Sequence, residues 1–559
     1  MINRKVAALS GSACLALALS SCASSDREDS DSGGASGGSG ELSDAQFVFG
    51  AAGAPTTFDP FYASDGETFR ITRQIFQNLI GIEEGGSEPV PELATSWEGS
   101  EDGLTWTFEL QEGVTFHDGT PFDAEAVCAN FERWYDQNEV GRNAAVTAYW
   151  TSDFGGFKGG DESLYESCSA TGDLTAEVTV TRSTGKFPIV LSQSSYAIQS
   201  PSAMEEFDAN GVEAEGEGFV FPEYATDHPT GTGPFTFTEY DTANGSITLE
   251  RFDDFWGEKA GVQKLIFRVI ADETSRRQEL DAGTINGYDL PNPVDWAGLE
   301  ENGNQVLIRD PFNILYLGLN PVADDVLVDD DVRMALYMAI NREQLISSQL
   351  PDGAVLATQF VPPTIDGSNE SIEAVAYDPE AAEQLLADAG QSDLSIDLWY
   401  PTEVSRPYMP DPQSIYNAVK ADWEAIGVTV NPIAKPWAGG YLDGVQQSNA
   451  PAYFLGWTGD YNGADNFLGS FFAGDENEFG TSEYPWAQDL QDGLRAADAE
   501  SDPAKRTELY QELNANIMEW LPGLPISHSP PAIVVGPNVE GLVPSPLTAE
   551  DFSTVTLTE

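Results

Sequence analysis

The side chains able to do chemistry in this 559-residue chain are unevenly supplied: three histidines, four cysteines, and 92 Asp and Glu against 25 Lys and Arg. His117, His228 and His528 are far apart, and no His-x-x-x-His or Cys-x-x-Cys spacing is present to assemble a zinc site. His117 sits in a Gly-bounded turn before a helix and reads as structural. There is no Gly-x-Ser-x-Gly elbow, no Gly-x-x-x-x-Gly-Lys phosphate loop, and no Gly-x-Gly-x-x-Gly turn between a strand and a helix. Hydrolase, ATPase and dehydrogenase templates therefore fail, and no metal or cofactor is expected. Composition alone leaves one enzymatic reading open, a secreted hydrolase using two carboxylates, because any two of so many acids could meet. Most of them read as a solvated acidic surface.

The net charge of -67 would repel a phosphate backbone, so nucleic acid is excluded as a partner. With 41 % apolar residues over this length, the chain can bury a large core divided between two or three lobes.

The first residues read as an export signal: Arg4 and Lys5, an apolar run from Val6 to Leu19 too short to span a bilayer, then Leu19-Ser20-Ser21-Cys22. That ending resembles the bacterial lipobox, which implies cleavage of residues 1–21 and acylation of Cys22. Residues 22–42 are dominated by Ser, Asp and Gly and cannot offset their ordering entropy, so they read as a flexible tether. Cys14 leaves with the signal and Cys22 takes lipid. Cys128 and Cys168 remain as a pair in an oxidising compartment, and a disulfide between them is expected.

Strand and helix signals alternate along the body, the pattern of an α/β protein. Thr105–Leu110, Ser246–Phe252 and Lys264–Ile270 alternate as strands rich in β-branched and aromatic residues. Asp378 as N-cap, Pro379 at the first position and Gly390 past the end delimit one helix. Asp123 opens another, with Val127, Phe131 and Trp134 on one face and Cys128 beside them. Gly113 and Gly119 suit turns with positive φ, Gly231 and Gly233 suit a tight bend before a strand, and Trp97 and Trp106 read as core fillers.

Six stretches taken together resemble the extracytoplasmic solute-binding proteins of ABC importers, in the large family that takes up peptides, nickel complexes and some oligosaccharides. They are Pro91–Glu98, Gly113–Phe122, Gly231–Phe235, Arg251–Gly257, Arg333–Arg342 and Tyr377–Ala382. The resemblance implies a two-lobed periplasmic-binding-protein fold, type II-like, with an extra N-terminal subdomain and two crossing strands that act as a hinge. The implied division is residues 43–88, 226–312 and 526–559 in lobe I, 89–225 in the subdomain and 313–525 in lobe II. The crossings fall near Pro311–Leu319 and Gly523–His528, making His528 a hinge residue or a packing residue of lobe II.

Gly456-Trp457-Thr458-Gly459-Asp460-Tyr461-Asn462 resembles the ligand loop of the peptide-binding members, in which an aspartate at the position of Asp460 meets the ligand α-ammonium. Arg406-Pro407-Tyr408 resembles the dipeptide-binding branch, in which the arginine takes the α-carboxylate through both oxygens at once. The resemblance implies Asp460, Arg406, Trp457, Tyr461, Gly459 and Tyr408 as ligand contacts. The loop departs from the family pattern in lacking the proline that often follows the aspartate. The implied role is a monomeric, lipid-anchored receptor on the extracytoplasmic face of the membrane, with no enzymatic activity, which hands short peptides to an ABC permease. The alternative cargo is an oligosaccharide, haem or nickel complex.

Overall fold

The computed structural model describes residues 44–160, 162–216, 218–474 and 477–558. The signal, Cys22 and the whole of the tether lie outside the described residues.

Alternation places Phe47 and Phe49, and Leu265 and Phe267, on one buried face of neighbouring strands. These belong to a seven-stranded sheet in the order Phe235–Asp241, Ser246–Arg251, Lys264–Val269, Gln46–Ala51, Gly287–Asp289, Ala532–Val535 and Gln305–Ile308. A six-stranded sheet runs Val355–Leu356, Gly523–His528, Asn313–Leu319, Ala452–Thr458, Ser395–Thr402 and Thr429–Pro436. Asn313–Leu319 is buried at every position, as a strand covered on both faces requires. The chain passes from the first sheet to the second between Ile308 and Asn313 and returns between His528 and Ala532. The two passages are tied together. The Asn313 amide donates to the Ser529 carbonyl at 2.8 Å and its oxygen accepts the Ser529 N–H at 3.1 Å. His528 is buried at this junction and donates from Nδ1 to the Asn313 carbonyl at 2.7 Å, while burial lowers its pKa to about 4.

A third sheet, Ala94–Gly99, Thr105–Leu110, Thr175–Val180 and Tyr165–Gly172, forms the subdomain with the helix Ala124–Tyr135. Asp123 caps that helix by accepting from the Ala126 N–H at 2.9 Å, and Val127, Phe131 and Trp134 are fully buried. Cys128 on the helix and Cys168 on the edge strand form a disulfide with Cα atoms 5.2 Å apart. The helix Pro379–Asp388 is capped by Asp378 and followed by Gly390 at φ +75°. Among the described residues no helix is long and apolar enough to cross a membrane.

Gly231 and Gly233 lie at the bend before the strand Phe235–Asp241, as expected, and close approach is what requires glycine there: a Cβ on Gly231 would lie 2.3 Å from the Ile75 carbonyl oxygen, and on Gly233 2.7 Å from it. Trp97 and Trp106 are only partly buried. They pack against the hydrophobic core of the subdomain sheet and its helix on one side and on the other border a cavity of about 500 Å³ shared with Lys186, Asp465 and Tyr510.

Candidate ligand site between the lobes

The strand Ala452–Thr458 pairs in parallel with Ser395–Thr402, so the loops after both strands emerge at the same edge of the six-stranded sheet. Crevices outside the carboxyl ends of parallel strands are where such sheets bind ligands. One loop carries Gly459, Asp460 and Tyr461, and the other carries Arg406 and Tyr408.

The first loop is pinned from within. The Gly459 N–H donates to the Phe312 carbonyl at 3.0 Å, and a Cβ there would come within 2.5 Å of the Phe312 ring, so only glycine lets the loop lie this close to the crossing segment. Asn466, in the first turn of the helix Asp465–Phe472, accepts both the Asp460 N–H at 2.8 Å and the Trp457 indole N–H at 3.2 Å. Tyr461 is buried and donates its hydroxyl to Asp465. Asn462 donates to Glu88 at 2.7 Å, and Lys186 stands 3.8 Å from Asp465.

This frame holds the Asp460 carboxylate. Its Oδ1 accepts the Tyr149 hydroxyl at 3.1 Å, while Oδ2 is buried and receives no donor from the described residues. Burial pushes the Asp460 pKa up to about 6, with the Tyr149 and Asn466 hydrogen bonds and the charge of Arg73 opposing the rise and Asp153 adding to it. A desolvated carboxylate with one oxygen open is a receptor for a cationic donor.

Arg406 is held differently. Its N–H and carbonyl exchange hydrogen bonds with Met409 at 3.1 and 2.9 Å, closing a tight turn, and its guanidinium lies over the Trp437 ring at 4.6 Å. Trp437 opens a π-helical turn, Trp437–Tyr441, and stacks on Tyr441 at 6.0 Å. The Tyr441 hydroxyl donates to the Phe454 carbonyl at 2.6 Å, which hangs the platform on the strand leading to Asp460. Among the described residues no carboxylate lies within ion-pair distance of Arg406. Tyr408 is buried against Gly456, where a Cβ would come within 2.4 Å of its ring. It packs the second loop onto the strand of the first.

Gly459, Asp460 and Tyr461 therefore share one loop, with Trp457 at the end of the strand before it, and Arg406 and Tyr408 lie on the neighbouring loop, with Gly459 and Tyr408 placed as scaffold. Tyr149, Asn466, Arg73 and Trp437 were not anticipated. Asn466 follows Asp460 by six residues and could have been suspected as the anchor of a turn, but Tyr149 is 311 residues away from Asp460 and no local pattern announces it. His117 lies elsewhere, donating to the Gly233 carbonyl at 2.9 Å against the Phe252 ring. Among the described residues no cluster of three His, Cys, Asp or Glu could hold a metal ion.

The family described as bacterial extracellular solute-binding proteins, family 5, middle region, matches residues 88–479. The chain is 30 % identical over 520 residues to the dipeptide-binding protein of Escherichia coli, covering 91 % of this chain and 94 % of that one. It is also 30 % identical to heme-binding protein A of Haemophilus influenzae, covering 90 % and 91 %. Among solved structures, the periplasmic binding protein DppA from Helicobacter pylori in complex with the peptide STSA aligns with a TM-score of 0.72 at 25 % identity, covering 92 % of this chain and 98 % of that one.

Proposed function

The chain belongs to the bacterial extracellular solute-binding proteins of family 5, and from that premise we propose that it captures short peptides outside the cytoplasmic membrane for import through an ABC permease. It works as a monomer tethered by lipid on Cys22. The observation that carries this reading is the buried Asp460 Oδ2 without a donor, on the loop beside an Arg406 without a carboxylate. The α-ammonium of a peptide supplies the missing donor and its α-carboxylate takes both prongs of the guanidinium. The spacing of the two ends then selects length, and contacts to the peptide backbone leave side-chain identity open. The peptide-named relative and the peptide-bound neighbour support it.

The test uses protein lacking residues 1–22 and calorimetric titration with the dipeptide Ala-Leu, its N-acetyl form and its C-terminal amide. Micromolar or tighter binding of the free dipeptide, weakened about a hundredfold or more but still measurable after either modification and in Asp460→Ala, is the expected result. Equal binding of acetylated and free peptide would overturn the amine site. The relative named for heme binding motivates one further arm, a hemin titration followed by absorbance; saturable hemin binding with no response to peptides would replace the cargo and keep the fold.

A further inference from the structure

Asp460 belongs to the second lobe, yet its carboxylate accepts a hydroxyl from the first. Tyr149 lies on the short subdomain helix Ala148–Asp153, its ring 5.9 Å from that of Phe69 on Gly66–Ile75, and its hydroxyl reaches Asp460 Oδ1 at 3.1 Å. We infer that Tyr149 is a positioning and specificity residue of the amine site, completing the Asp460 carboxylate only when the lobes meet and turning its second oxygen toward the ligand; this rests on the reading of Asp460 as the amine receptor.

The argument is one of hydrogen-bond accounting. In an open cleft both Asp460 oxygens are hydrated. Bringing the lobes together removes that water, and each oxygen then needs a donor or costs its desolvation. Tyr149 serves Oδ1, leaving Oδ2 to the ligand. With Oδ1 already engaged by a hydroxyl, the carboxylate is fixed in rotation, so the ammonium is recognised in one direction and not by a swivelling group. The phenol remains a donor because burial and the neighbouring Asp460 hold its pKa well above the ordinary value. The other charged groups facing the pair are Arg73 from Gly66–Ile75, fixed by bonds to Ser194 Oγ at 2.7 Å and the Thr548 carbonyl at 2.9 Å, and Asp153 on Tyr149's own helix, which accepts from Gln193 at 3.0 Å and Tyr196 at 2.9 Å. Both are engaged elsewhere, and neither forms a hydrogen bond with the Asp460 carboxylate.

Because the Tyr149 hydroxyl acts through Asp460, its contribution must vanish when Asp460 is removed. The experiment is a double-mutant cycle with Tyr149→Phe, which keeps the ring on Phe69, and Asp460→Ala, read as the Kd for Ala-Leu by calorimetry between pH 5 and 8. Tyr149→Phe alone should raise Kd about tenfold or more, the usual effect of losing a hydrogen bond to a charged group. In the Asp460→Ala background the same change should alter Kd by less than about twofold. The acid limb of binding should also move to higher pH in Tyr149→Phe, since the hydroxyl favours the ionised carboxylate. Equal losses in both backgrounds would reduce Tyr149 to packing and overturn the inference, as would an unchanged Kd in Tyr149→Phe while Asp460→Ala weakens binding. Full binding by Asp460→Ala would instead overturn the amine site itself.

Discussion

The Arg406 guanidinium lies 4.6 Å from the centre of the Trp437 ring and is paired with no carboxylate among the described residues, in a chain with 92 acids and 25 bases. In so acidic a protein an arginine escapes ion pairing only if its surroundings keep acids away, and here an aromatic face does so. Stacking leaves the planar fork free along its edge, the direction from which a carboxylate binds.

Arg406→Ala should therefore weaken binding of a free dipeptide by about 2–5 kcal/mol, as expected for removing one partner of a buried charge pair. The same substitution should leave affinity for the C-terminal amide nearly unchanged. Trp437→Leu, which removes the platform and keeps the charge, should cost about 1 kcal/mol. Calorimetry with both ligands checks all three.

Binding should weaken as pH falls through about 6, where Asp460 takes up a proton and can no longer pair with an ammonium. Stability runs the other way. The pKa of Asp460 is raised in the folded protein above its ordinary 3.8, so its contribution favours folding below about 3.8 and is lost as pH rises through about 6. Asp460→Asn should raise the melting temperature at pH 7.5 while weakening peptide binding, and the gain should disappear near pH 4. Scanning calorimetry at the two pH values would detect an unchanged melting temperature at 7.5, which would contradict the buried carboxylate.

At the first crossing, Arg309 is fully buried and pairs with Asp289 and Glu550 at 2.6 Å each, while Arg70 joins Asp289 from the opposite side. Arg309→Met should destabilise the protein by about 3–5 kcal/mol, because it leaves the buried Asp289 and Glu550 with a single guanidinium, that of Arg70, between them. The two arginines hold the Asp289 pKa down to about 2, so the stability it supplies is present above about 4 and lost as pH falls toward 2. Denaturant titrations of both proteins between pH 7 and 3 measure each effect.

The disulfide of Cys128 and Cys168 spans 40 residues. Cys128→Ser with Cys168→Ser should lower stability by about 4 kcal/mol in the chain-entropy account. The loss should fall on the subdomain, so peptide affinity measured below the new melting transition should change little.

Local chemistry wrote much of this architecture into the chain. Asp378, Pro379 and Gly390 mark their helix because capping and φ preference act within a few residues. The alternation in Thr105–Leu110 and Lys264–Val269 marks strands because a pleated sheet has a period of two. The segments bearing Asp460 and Arg406 were singled out by their likeness to family motifs, and the ligand contacts we propose for them rest on that likeness. The reading was incomplete where the deciding neighbour was distant. Gly231 reads as part of a bend before a strand, but the Ile75 carbonyl that makes glycine necessary there is far off in the chain. Trp97 packs against the core as its size suggests, but the cavity it also borders is invisible in the strand's own pattern.

By itself, then, the order of residues determined the elements, their caps and the likeness to a solute-binding family from which the two proposed peptide-end groups follow. Only the folded chain decided that Tyr149 meets Asp460 across the cleft, that Trp437 keeps Arg406 open, and that Arg309, Asp289 and Glu550 share one buried site. The physical reason is range: hydrogen-bond caps and side-chain periodicity act over a turn or two of chain. Desolvation and charge pairing depend on which surfaces packing brings together, and packing joins residues hundreds of positions apart.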